Sequence, residues 1–289
     1  ERPCTPTPRT QGKHRMYQHT LRDGNPIPAL GLGTYPLSNV EAEVTVSEAI
    51  NRGYRLVDTA VNYENEKGVG KGVRRSGVKR EDIFVQSKLP GRDHGAKKVR
   101  PSLEGTLERM GLDYLDAYLI HWPNPSQGLY LETWQAMIEL QEEGLVKSIG
   151  VSNFLPEHID RLIAETGVTP AINQIELHPY SQKADWVSYN FSKAILTQCW
   201  SPLGRKTPLL KDATLAALAQ ELGKTPAQVV LRWEVQKNLV PLPKSSSTSR
   251  LEENLDVFSW ELSETQVARI DALEAGVGRG FDPNTHEEM

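Results

Sequence analysis

The sequence predicts a single (β/α)8 TIM barrel with an N-terminal β-hairpin and two extra helices. Short β-rich runs alternate with helical stretches from about residue 30 onward, the pattern of a parallel sheet with crossover helices. Eight such runs are present, the number that closes a barrel. Asp58, Tyr63, Lys88 and His121 each stand at or just beyond a strand end, where αβ barrels place their chemistry.

Taken in order, Asp23-Gly24-Asn25-Pro26 lies between two apolar-containing segments and reads as a hairpin turn, because Gly and Asn tolerate positive φ. That hairpin is expected to cap one end of the domain. The strand candidates are 30–33, 55–59, 83–88, 115–121, 147–151, 171–176, 195–200 and 239–243. Ser38 followed by Glu41 is a capping-box signature for the first helix, and Gly53 is expected as its C-terminal cap. Periodic segments cover about 64–76, 96–110, 130–143, 156–166, 181–193 and 226–236, the last opened by Thr225-Pro226. Residues 212–222 and 263–273 read as the two extra helices, the second with Ser263 and Gln266 as its cap pair. Residues 1–15 are expected to be a disordered extension or a cloning remnant, 16–275 the catalytic barrel, and 276–289 a tail that could fold over its mouth.

At 289 residues the chain fits one αβ barrel. A net charge of −4 with scattered basic residues gives no reason to expect nucleic acid, so a phosphate site would have to be local. Cys4 and Cys199 make a poor disulfide pair and offer no metal-ligand spacing, which points to no metal and a reducing cytoplasm. No run of about 18 apolar residues appears, so no membrane span is expected. The N-terminus has no apolar segment of a secretory signal.

Lys88 closes an apolar strand and points its amine into the barrel, where burial would depress its pKa unless a carboxylate neutralises it. Asp58 is the obvious partner, although an Asp ending a strand also serves as a helix N-cap. With such a cation nearby, the Tyr63 phenol is expected below its usual pKa of about 10 and ready to donate a proton to a developing oxyanion. His121 is either the group that aligns a carbonyl or an ordinary hydrogen-bonded barrel histidine.

Asp58-Thr59-Ala60 with Tyr63, then Asn65-Glu66 and Val69-Gly70, resembles the aldo-keto reductase signature. The likeness continues through Leu119-Ile120-His121-Trp122-Pro123, Ile149 to Phe154, Asn173-Gln174-Ile175-Glu176 and Pro243-Lys244-Ser245, and covers about residues 16–275. Residues 223–228 and 250–258 are similar to bacterial prokaryotic-type members such as the 2,5-diketo-D-gluconate reductases. The resemblance implies Tyr63 as proton donor, Lys88 and Asp58 as the pair that tunes it, and His121 as the carbonyl-orienting group. It implies a monomer acting on a small-molecule carbonyl substrate.

No Gly-x-Gly-x-x-Gly follows a strand in a Rossmann context, so a nicotinamide cofactor would be held by the barrel itself. Lys244-Ser245 follows the eighth strand and Arg250 sits on the next helix, the usual place for a barrel anion site. By resemblance, Lys244, Ser245 and Arg250 grip the adenosine 2′-phosphate of NADPH, and Glu253 and Asn254 contact adenine. The same carry-over sets Ser152, Asn153 and Gln174 on the carboxamide, Trp200 under the nicotinamide ring, and Ser201 and Leu203 on the pyrophosphate. The loop 204–210 is short and basic beside family members with a longer cofactor-covering loop.

Loops after strands one, three and four make Tyr35, Leu89 and Trp122 substrate-pocket candidates. Arg92 or His94 either attracts an acidic sugar or keto acid or simply faces water. Two rival readings stay open: a Schiff-base role for Lys88, which a salt bridge to Asp58 would suppress, and a noncatalytic NADPH-binding barrel.

Overall fold

A computed structural model describes residues 7–8 and 17–289. The rest of 1–15, expected to be an extension, lies outside the described residues; β1 (Thr7–Pro8) pairs antiparallel with Tyr17 and Gln18. Strands β2 (Tyr17–Thr20) and β3 (Pro26–Pro28) form the antiparallel hairpin around Gly24, whose φ of 88° suits glycine. Leu21 and Ile27 of this hairpin are buried with Phe84, Leu119, Ile172, Val240 and Leu242, so it plugs one end of the barrel.

Eight parallel strands follow: β4 (Leu32–Gly33), β5 (Leu56–Asp58), β6 (Phe84–Leu89), β7 (Leu115–Ile120), β8 (Val146–Ser152), β9 (Ile172–Glu176), β10 (Leu196–Trp200) and β11 (Val240–Pro241). They hydrogen-bond in sequence order, and the seam is closed by Gly31 N–H to the Pro241 carbonyl and Gly33 N–H to the Pro243 carbonyl, both at 3.0 Å. A Cβ at Gly33 would lie 2.6 Å from the Leu242 carbonyl oxygen, so a larger residue would force this seam apart. The last strand is shorter than the expected 239–243 because Pro241 and Pro243 have no N–H to give the ladder.

The helices are α1 (Asn39–Asn51), α2 (Glu66–Arg75), α3 (Ala96–Met110), α4 (Tyr130–Glu142), α5 (Pro156–Thr166), α6 (Ala184–Ser192), α7 (Ala213–Leu222), α8 (Pro226–Gln236), α9 (Thr248–Leu255) and α10 (Glu264–Asp271). Capping boxes at Ser38/Glu41, Thr225/Gln228 and Ser263/Gln266 set three of the starts, as the sequence predicts. The cap of α1 is Arg52 rather than Gly53, which follows it at φ 115°. Helix α6 begins later than residue 181 because Ser181 and His178 exchange backbone hydrogen bonds in a tight turn.

Strand alternation decides what faces the barrel interior. Along β6, Gln86 and Lys88 turn inward, whereas Val85 and Leu89 join the layer against the helices with Val99, Leu103 and Trp134. Leu89, expected as a substrate-pocket residue, is therefore fully buried in the core and does not line the cavity at the barrel mouth.

Candidate active site

The tetrad assembles at the C-terminal ends of β5, β6 and β7. Asp58 ends β5, Tyr63 ends a single 3-10 turn just after it, Lys88 lies in the last turn of the β6 pleat, and His121 follows β7. Lys88 Nζ lies 2.8 and 2.9 Å from the two Asp58 carboxylate oxygens and donates also to the Thr59 carbonyl at 2.8 Å and to the Tyr63 hydroxyl at 3.3 Å. Lys88 has no exposed surface and Asp58 almost none. Burial pulls the ammonium down, but Asp58 and the Tyr63 hydroxyl together hold Lys88 above the usual lysine range.

Tyr63 departs from the sequence expectation. Burial raises its phenol above the usual value, and Asp58 and Glu288 add to that, outweighing the opposing pull of Lys88. The reason is that burial costs the phenolate more than the nearby ammonium returns, and Asp58 offsets part of what Lys88 gives. The result is a phenol held protonated, 3.3 Å from an ammonium.

The His121 ring meets Tyr63 edge-on, with centroids 5.9 Å apart. Its Nδ1 lies 2.8 Å from Glu288 Oε1, off the line of a good hydrogen bond. The tail thus reaches into the mouth. Glu288 also accepts from Asn62 and from the Gly91 N–H, and its backbone carbonyl accepts from Asn124. A Cβ at Gly91 would sit 1.8 Å from that carbonyl oxygen, so glycine leaves the space in which the tail lies. Phe281 and His286 pack on Trp122, and Arg279 N–H is held by Glu176 at the end of β9.

A cavity of about 600 Å3 opens over the tetrad. Of the residues singled out by sequence it is lined by Tyr35, Asp58, Tyr63, His121, Trp122, Asn153, Gln174, Trp200, Ser201, Leu203, Lys244 and Arg250. Asn153, at φ 60°, is central to its wall: its side-chain oxygen accepts from Trp200 Nε1 at 2.9 Å and its amide donates to the His121 carbonyl at 3.1 Å. Ser152 lies behind it, donating to the Gln174 carbonyl.

Several expected residues are turned elsewhere. Glu253 accepts from the Thr225 hydroxyl at 2.6 Å, because the start of α8 offers it a donor on the far face of α9. Asn254 is buried beside Tyr54 in the core. Neither lines the cavity. Ser245 is buried just behind the lip, with its hydroxyl accepting from Ser247 N–H. His94 is no attractor of anions: it is buried, and desolvation holds its imidazole down at about 4, in the neutral form. Arg92 is exposed and tied to Asn62 and the Met289 carbonyl.

The sequence reading did not single out Arg205, which stacks on the Tyr35 ring at 4.8 Å, nor Arg279, Phe281, Asn62 and Glu288. The basic loop and the polar tail were visible as segments, but nothing in their spacing marks which side chain faces inward.

At the lip, Lys244 and Arg250 make no ion pair among the described residues and stand exposed beside the start of α9. Unpaired cations next to helix N–H groups suit a phosphate, and the adjoining indole and amides suit a flat carboxamide-bearing ring. The residues present therefore fit NADPH.

The Aldo/keto reductase family model matches residues 29–275. The chain is 51% identical to 2,5-diketo-D-gluconic acid reductase B of Corynebacterium sp. (strain SHS752001), over 93% of this chain and 98% of that protein. It is 46% identical to methylglyoxal reductase DkgA of Escherichia coli (strain K12), over 91% and 96% respectively. Among solved structures, an aldo-keto reductase of Bombyx mori in complex with NADP superposes with a TM-score of 0.86 at 36% identity, over 92% of this chain and 94% of that one. A paired lysine beside a phenol at the mouth of a barrel, and a match running nearly its whole length, place this chain in the aldo/keto reductase family.

Proposed function

We propose that this protein reduces aldehydes or ketones to alcohols with NADPH, and that Tyr63 is the proton donor. NADPH would supply the hydride that adds to the carbonyl carbon. The observation that carries the reading is Lys88 Nζ, held between both Asp58 oxygens and the Tyr63 hydroxyl. As negative charge grows on the substrate oxygen, a phenol hydrogen-bonded to an ammonium can release its proton into it, and the ammonium stabilises the phenolate left behind. His121, edge-on to Tyr63, is the second group at the carbonyl oxygen. The raised Tyr63 keeps the donor loaded, so the reduction rate should be flat through neutral pH and fall only in alkali.

Lys244 and Arg250 would hold the 2′-phosphate, with Ser245 behind them, Ser201 and Leu203 the pyrophosphate, and Trp200, Asn153 and Gln174 the nicotinamide end, with Ser152 backing Asn153. The catalytic unit would be residues 16–275, with 276–289 forming one wall of the substrate site. Small dicarbonyls and keto-sugars are the favoured substrates: the relatives are named for such compounds, and Tyr35 and Trp122 with Arg279 offer aromatic walls and a cation. Action as a monomer in the cytoplasm goes with this reading. The Schiff-base alternative loses ground, because a lysine held above its usual range is a poor nucleophile.

NADPH consumption with aldehydes, dicarbonyls and keto-sugars tests the reading. Tyr63→Phe should keep NADPH binding and lose turnover; turnover equal to wild type would remove Tyr63 from the role.

A further inference from the structure

Below the tetrad, the barrel interior carries three glutamines, of which Gln86 and Gln198 have no role in the reading above. Gln86 is the register neighbour of Asp58 on β5 and β6, and Gln174 is that of Gln198 on β9 and β10, so two strand pairs face each other across the barrel. All three side chains are essentially without exposed surface. Gln86 Nε2 donates to Asp58 Oδ1 at 2.7 Å and to Gln198 Oε1 at 2.8 Å, and Gln198 Nε2 donates back to Gln86 Oε1 at 2.9 Å. Gln174 Nε2 donates to the same Asp58 oxygen and to Gln198 Oε1, both at 2.9 Å. The amide orientations follow from chemistry: a carboxylate paired with Lys88 accepts only, so both Nε2 groups must face it.

Counted by atom, the layer is nearly closed. Gln86 spends both N–H groups and its oxygen; Gln198 Oε1 accepts twice and its Nε2 donates once. Asp58 Oδ1 collects two amide donors besides Lys88. Among the described residues Gln174 Oε1 accepts no hydrogen bond, and Gln174 lines the cavity. Neutral donors can fix the direction of a carboxylate without cancelling its charge, which an opposing cation would do. An apolar layer of the same volume would leave Asp58 free to swing, and Lys88 with it.

We propose that Gln86 and Gln198 are positioning residues of the reductase site: a reciprocally bonded amide pair that aims the Asp58 carboxylate, and so sets Lys88 Nζ against the Tyr63 hydroxyl. Neither glutamine touches substrate or cofactor. The inference rests on the reductase reading and deepens it, since it assigns the geometry of the proton donor to side chains on the opposite wall of the barrel.

The test separates position from stability. Gln86→Met keeps the volume but strands Gln198 Nε2, so it should lower Tm. Gln86→Met with Gln198→Met removes the reciprocal pair together and restores part of the lost Tm, with one Gln174 N–H and one Asp58 acceptor site still left without a partner. If the pair positions Asp58, kcat in the double variant stays roughly tenfold or more below wild type, as a misplaced proton-transfer group would make it. The alkaline limb of its kcat profile moves as well, while NADPH affinity is unchanged. Recovery of kcat and of the pH limb together with Tm would overturn the proposal. Gln86→Glu, equal in shape, gives an independent arm: its activity relative to wild type should fall as pH rises and return on acidification, because an ionised carboxyl repels Asp58. A Gln86→Glu enzyme that tracks wild type at every pH would also overturn it. Wild-type protein that turned over no carbonyl with NADPH would sink the reductase reading and this inference with it, whereas wild-type turnover with unmoved variants sinks this inference alone.

Discussion

The floor and the lip of the cavity hold their charges in opposite ways. At the floor, Lys88 and Asp58 are buried, bonded to each other and hydrogen-bonded by further groups. At the lip, Lys244 and Arg250 stand exposed with no ion-pair partner among the described residues. Geometry fixed before the ligand arrives is what proton transfer requires, because the chemical step gains only from groups already in place. A charge kept for a ligand, in contrast, must not be neutralised by the protein first. The floor is thus built to be rigid and the lip to be filled.

Breaking the floor should have the largest effect. Lys88→Met leaves Asp58 buried without its counter-ion, and losing one partner of a buried pair costs about 3–5 kcal/mol. Removal of the group that tunes the proton donor should lower kcat by roughly 10²–10⁴-fold. Unfolding in urea and steady-state kinetics measure the two; a loss in kcat under tenfold would mean that the pair is structural only. Breaking the lip should be milder and selective. Arg250→Ala is expected to weaken NADPH by about tenfold with little change for NADH, which lacks the 2′-phosphate. Equal losses for both cofactors in a fluorescence titration would take Arg250 off that phosphate.

Between floor and lip lies Glu288, which the tail brings against His121. Burial pushes this carboxyl up, but His121, Asn62 and the Gly91 N–H pull it further down, so it stays below the usual range and is charged throughout neutral pH. A like charge at the mouth disfavours anionic substrates. Glu288→Gln should therefore raise kcat/KM for a keto acid by about fivefold, the worth of roughly 1 kcal/mol between unit charges about 4 Å apart in water, and leave a neutral aldehyde unchanged. An equal change for both substrates would show that the tail acts by shape and not by charge.

Much of this was legible in the sequence because it is local. Strand ends fix where Asp58, Lys88 and His121 lie, and capping boxes at Ser38, Thr225 and Ser263 mark helix starts with residues three apart. The family resemblance supplied the cofactor residues that spacing could not, and most of them line the cavity. What escaped was long-range. Glu253 was read as facing adenine, but its partner Thr225 is set by how α8 and α9 pack. Leu89 was read as a pocket wall, although the alternation that turns Lys88 inward must turn Leu89 out. The direction of the Tyr63 shift depended on how deeply the phenol is buried, which outweighs the pull of Lys88 and is a matter of packing and not of residue type. The contact of Glu288 with His121 joins positions 167 apart, and no periodic pattern records it.

A buried carboxyl on the far side of the barrel wall sharpens the contrast, since it shares the burial of the floor but not its pairing. Glu234, on α8 near Cys199, has no exposed surface, and neither carboxylate oxygen has a hydrogen-bond partner. Desolvation raises it well above the usual carboxyl range, so it is protonated when folded. Unfolding exposes it and lets it ionise at its ordinary value near 4.5. Between that value and the folded one the native state holds a proton that the unfolded state has lost, so stability falls as pH rises through this window. Glu234→Gln removes the titration. The variant should match wild type near pH 4.5 and gain on it steadily towards pH 8, by about 2–4 °C in Tm for each kcal/mol recovered, with turnover unchanged. A Tm difference that is the same at both ends of the range would mean that Glu234 finds a partner in solution, and that burial without pairing is not what sets it apart from Asp58.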